Sequence, residues 1–123
     1  MLSLIIWGDV PSQKNSKQIL FNKATGRRFV ASNPRVKAWQ TDAAWQLKNV
    51  KVPIFDYPIS VHLSFAFRSA RRRDLENAAS TVLDALVHAG VLADDDYKHA
   101  CPIILDFLGV DRDNPRVEIT LDK

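Results

Sequence analysis

Residues 59–90 read ISVHLSFAFRSARRRDLENAASTVLDALVHAG, and the change of hydrophobic period inside this stretch decides the fold. From Ile59 to Phe67 the apolar residues alternate. Ile59, Val61, Leu63, Phe65 and Phe67 share one face while Ser60, His62, Ser64 and Ala66 share the other, which predicts a strand with one buried side. After the basic run Arg71-Arg72-Arg73 the period becomes helical. Leu75, Ala79, Val82, Leu83 and Leu86 form an apolar stripe that stops at Gly90, a natural left-handed helix terminator. The centre of the chain is therefore a strand joined to a helix by arginines.

Upstream, Ser3 to Trp7 is a short apolar run ended by Gly8 and predicts a buried strand, followed by a polar loop from Val10 to Lys17. Ile19 to Asn22 and Arg28 to Ala31 flank the turn-forming Lys23-Ala24-Thr25-Gly26 and predict a hairpin. Asn33-Pro34 is a helix start, with the side chain as cap and proline in the first turn. Val36, Trp39, Ala43, Leu47 and Val50 then recur on one helical face, while Trp45 lies about half a turn away and should look outward. Downstream, Pro102 opens a strand over Ile103 to Val110, and Arg116 to Leu121 forms another. The order β, β-hairpin, α, β, α, β, β predicts an α/β (α+β) fold. It is a mixed β-sheet with two packed helices in one domain covering residues 1–123.

The charge is unevenly distributed. Met1 to Arg73 carries 13 Lys/Arg against 3 Asp/Glu, whereas Asp74 to Lys123 carries 4 against 11. A basic half joined to an acidic half suits a metal-dependent nuclease, since cations attract phosphates and clustered carboxylates hold divalent metal. Incidental segregation of surface charge is the plainer alternative. The longest N-terminal apolar run, Leu2 to Trp7, is too short to span a bilayer and lacks the marks of a signal peptide. The single cysteine, Cys101, cannot form an internal disulfide, so a reducing cytoplasm is expected and no membrane association.

The candidate chemistry lies in Arg71-Arg72-Arg73-Asp74-Leu75-Glu76-Asn77, Asp84, Gly90 and Asp94-Asp95-Asp96. Asp74 and Glu76, two apart in extended backbone, would point to one side. Asp94 and Asp95 could join them only if their loop folds back toward the helix start. Carboxylates so gathered would repel one another without a cation, and Mg²⁺ fits an oxygen-only set. Taken singly, Asp74 reads as a helix cap, Glu76 as a first-turn charge, and the acidic triplet and arginine run as solvated surface. His62, His88 and His99 are scattered, and Cys101 reads as a small packing residue.

Arg-Arg-Arg-Asp-Leu-Glu-Asn, then Asp84-Ala85-Leu86, Ala89-Gly90 and Asp94-Asp95, with the loop Val10-Pro11-Ser12-Gln13-Lys14-Asn15-Ser16-Lys17 after the first strand, resembles the RusA family of Holliday junction resolvases. The resemblance implies a homodimer that cuts branched, four-way DNA symmetrically in recombination and repair. It implies Mg²⁺, with Mn²⁺ as an alternative, and products with 5′-phosphate and 3′-hydroxyl ends. Asp74, Glu76 and Asp95 would be the catalytic and metal-binding carboxylates, with Asp94 auxiliary. Arg71, Arg72, Arg73, Lys14 and Lys17 would grip the DNA backbone. Two positions depart from the family pattern. Glu76 stands where the pattern has Asp, and Ser80 where it has Lys; either Lys98, Lys14 or an arginine of the 71–73 run supplies the missing charge, or the activity is weaker. A non-catalytic junction-binding module and a nuclease of other branched DNA are the competing expectations.

Overall fold

The protein is seen in a computed structural model that describes residues 1–12, 17–22 and 24–123; for 17–22 and 28–32 it describes the backbone alone. Lys14 lies outside the described residues, as does the side chain of Lys17.

Eight elements follow in the expected order: β1 (Leu2–Trp7), β2 (Lys17–Asn22), β3 (Arg27–Ser32), α1 (Pro34–Leu47), β4 (Ile59–Phe67), α2 (Leu75–His88), β5 (Ala100–Val110) and β6 (Arg116–Asp122). The main sheet has the strand order β1-β6-β4-β5, and β2 and β3 pair as a separate antiparallel hairpin. β4 is central. It runs parallel to β5 and antiparallel to β6, so β4, α2 and β5 form the single crossover unit of a mixed sheet.

The alternating stretch does what its pattern dictates. Ile59, Val61, Leu63 and Phe65 are fully buried, meeting Ala79, Val82 and Leu86 of α2 and flanked by Val117, Ile119 and Leu121 of β6. α1 adds Trp39, Ala43 and Leu47 to the same core, while Trp45 is 69 % exposed. Full burial of a side chain such as Leu86 contributes about 2 kcal/mol.

β5 starts three residues earlier than the sequence suggests and runs through Pro102. This is tolerated because β5 is an edge strand, where a missing N–H can face outward. The opposite edge is finished differently. At the end of β1 the Gln46 side chain accepts from the Trp7 N–H at 2.8 Å and donates to the Trp7 carbonyl at 2.9 Å. A second donation to Asp42 at 2.9 Å orients the amide.

Candidate DNA-binding and metal site

The loop after β1, the start of α1 and the β4–α2 connection surround an open cleft of ≈ 1180 Å³. Asp9, Pro11 and Ser12 come from the first, Asn33, Arg35 and Ala38 from the second, and Arg68, Arg71, Arg72, Arg73, Asp74 and Asn77 from the third. Both helices begin here. The Asn33 side chain accepts from Arg35 N–H and the Asp74 side chain from Glu76 N–H, each at 2.9 Å, so two helix N-termini meet five arginines. Such an arrangement attracts phosphate twice over, by oriented amides and by charge.

The three arginines of the run do different things. Arg71 and Arg72 are exposed. Arg73 is committed: it donates to both oxygens of Asp9 at 2.7 and 2.6 Å and to the Val10 carbonyl at 3.1 Å, and it lies over the Phe67 ring at 4.7 Å. Asp9 also accepts from Arg68 N–H at 2.9 Å, so it ties the wall of the cleft to the end of β4. Asp9, Arg35 and Arg68 were not singled out from the sequence. Asp9 had a signal, being one of only three acids before Asp74.

The carboxylates form two groups. Asp74 and Glu76 stand at the first turn of α2 beside the cleft. Glu76, Ser80 and Asp84 then follow as an exposed stripe along the helix, and the Ser80 hydroxyl donates to the Glu76 carbonyl at 3.1 Å. The acidic triplet stays at the other end. Val91 and Leu92 N–H both bond the Leu86 carbonyl, at 3.0 and 3.3 Å, and Tyr57 Oη accepts from Ala93 N–H at 3.1 Å, which pins the loop near the helix C-terminus. These tethers set the loop beside the C-terminal half of α2, where Asp95 lies close enough to sense the Asp84 charge. Among the described residues, the one group of three metal-ligating side chains with ligand atoms within 4.8 Å of one another is Asp94, Asp96 and His99.

This loop is electrostatically tense. Partial desolvation, hydrogen bonding and repulsion from Asp94, and repulsion from Asp84 raise the Asp95 carboxyl above its ordinary value. The His99 ring, 2.6 Å from the Asp96 carboxylate and edge-on to Tyr57, lowers Asp96. Oxygen-rich and crowded with carboxylates, the loop suits a hard divalent cation. Lys98 is exposed on the same loop.

A second polar cluster, on the open face of the sheet, has a different character. His62 Nε2 contacts the Asp106 carboxylate, and Ser64 Oγ lies 3.4 Å from the same nitrogen. One nitrogen serving both partners leaves no relay across the ring, so this cluster links β4 to β5 and is no nucleophilic triad.

Comparison with known proteins agrees with this arrangement. The family described as Endodeoxyribonuclease RusA matches residues 10–122. A curated relative, the crossover junction endodeoxyribonuclease RusA of Aquifex aeolicus (strain VF5), is 35% identical over 63 residues, and the aligned stretch spans 50% of this chain and 50% of the relative. With the match running through the arginine cleft, both carboxylate groups and all but the first strand, the chain belongs to the RusA endodeoxyribonuclease family.

Proposed function

We propose that this chain is a divalent-metal-dependent endodeoxyribonuclease that resolves four-way DNA junctions as a homodimer in the cytoplasm. The observation that carries the reading is the cleft where two helix N-termini and Arg35, Arg68, Arg71 and Arg72 adjoin Asp74, because it offers phosphate attraction beside candidate metal ligands. Family membership supports the junction as substrate.

Asp74, Glu76 and Asp95 would hold the ion, with Asp94 auxiliary, and Mg²⁺ suits their oxygen-only chemistry. When bound, it supplies an acidified water and neutralises charge building on the phosphate. The rest falls to the chain's own groups. Arg71 and Arg72 take the backbone on either side of the scissile phosphate, the α2 N-terminus orients it, and the Asp9–Arg73 pair keeps the cleft wall in place. Paired cuts in opposite strands of a two-fold junction call for two sites related by two-fold symmetry, which is why the homodimer is part of the reading.

The test is incubation with a synthetic four-way junction and a linear duplex, with Mg²⁺ or EDTA. Cleavage of the junction alone, abolished by EDTA, is the expected result. A shifted but uncut junction would favour a binding module, with Ser80 marking lost catalysis, and equal cutting of flaps would favour a broader branched-DNA nuclease.

A further inference from the structure

The outward face of α1 takes no part in the chemistry assigned so far. Pro34, Lys37, Ala38, Thr41, Asp42 and Trp45 follow one another at helical-turn spacing and line a shallow groove of ≈ 500 Å³ along the helix. Folding does not call on this face, because the core contacts of α1 run through Val36, Trp39, Ala43 and Leu47. Trp45 is 69 % exposed, and the Lys48 ammonium sits over one face of its indole, 4.9 Å from the ring centroid. The other face of the ring is left open.

A single exposed aromatic is ordinary in isolation, so the surroundings of Trp45 decide what it suits. Arg35 and Lys37 on the helix and Lys48 at its C-cap are exposed, against one acid in the groove, Asp42, whose carboxylate is engaged by the Gln46 amide at 2.9 Å. This face therefore favours a negatively charged occupant. It is also continuous with the arginine cleft, since Ala38 lines both. Trp45 lies roughly 15 Å of helix rise beyond Arg35, along a path bordered by cations. An aromatic platform flanked by positive charge is the combination that holds single-stranded nucleic acid, with bases stacked on the ring and phosphates tracking the cations. Paired DNA uses it poorly, because its base faces are already covered by their neighbours. Continuity with a cleft suited to DNA phosphates singles out the strand bound there as the occupant.

We propose that Trp45 is a stacking subsite for an unpaired base of the DNA strand whose backbone enters the arginine cleft, with Lys37 and Lys48 holding the flanking phosphates. The proposal rests on the DNA-cleaving reading and adds to it a preference for branches that carry unpaired bases within roughly 15 Å of the cleft.

Tryptophan fluorescence reads the stack. The probes are an eight-nucleotide oligothymidylate and an abasic strand of the same length and charge, titrated in EDTA so that neither is cut. The oligothymidylate should bind more tightly than the abasic strand and quench the fluorescence, and Trp45→Phe should keep most of that binding while losing most of the quenching. Trp45→Ala, at an exposed position, should melt as the wild type does. It should bind the oligothymidylate roughly 5- to 150-fold more weakly, the usual effect of losing one stacked base, and the abasic strand as before. Equal losses on both strands, or none on either, overturn the stacking subsite. So does a changed sedimentation coefficient for Trp45→Ala without DNA, which gives the ring to a contact between copies. Arg71→Ala judges the cleft separately and should weaken both strands alike. If it does so while Trp45→Ala has no effect, the subsite falls and the DNA reading stands; if the wild type binds neither strand, both fall.

Discussion

Asp74 accepts the Glu76 N–H with one carboxylate oxygen, and asparagine can do the same. Asp74→Asn should therefore change stability by less than about 0.5 kcal/mol while abolishing junction cleavage, with binding kept or tightened. Near-normal cutting by a normally melting variant would remove Asp74 from the chemistry. The arginines next to it separate by role. Arg73→Ala strands a largely buried Asp9 and should cost about 2–3 kcal/mol in denaturant unfolding, whereas Arg71→Ala and Arg72→Ala should cost under about 0.5. This division was not legible in the sequence. Three consecutive arginines look alike there, and what distinguishes Arg73 is an acid 64 positions upstream.

At the scale of elements the sequence was most legible where burial is one-sided. β4 and the α1 stripe follow directly from period, and the α2 cap from Asp74. It was least legible at β5, because Pro102 punctuates a strand only when every N–H is needed. The β5–β6 connection shows how such joints are secured. Asp111 accepts from Asn114 N–H at 3.1 Å and from Arg116 at 2.9 Å, and those two contacts, in that order, lower its carboxyl below the ordinary value. A depressed folded-state value means a stabilising contribution that is complete above the ordinary carboxylate range and is lost as pH falls through the folded value. The melting difference between wild type and Asp111→Asn, which keeps the turn acceptor but not the charge, should shrink as pH drops from neutral toward ~3. A difference that does not change with pH would show that the Arg116 pairing contributes nothing.

For the whole molecule, the segregation of charge along the chain becomes segregation in space. The arginines gather at one end of α2 and most of the acidic loop at the other. Arg71→Ala and Arg72→Ala should each flatten the dependence of log junction affinity on log salt by about one unit, while Arg73→Ala, if folded, flattens it less. Equal slopes for all three would mean that Arg73 reaches phosphate despite Asp9. Whether the candidate carboxylates meet was not legible in the sequence, because convergence depends on where the loop after Leu92 is tethered, and Tyr57 and the Leu86 carbonyl set that from outside the motif.

The Gln46 amide at Trp7 bears on how large an assembly can grow. By occupying both backbone groups of Trp7, it acts as a one-residue stopper on the far border of the sheet, so an incoming strand cannot run its full length there. A protein sticky at both borders would propagate, each added copy exposing a fresh end, as fibres do. With this border stoppered, the sheet cannot be extended freely at both edges, and the chain can keep the open, apolar edge of β5 without becoming a polymer.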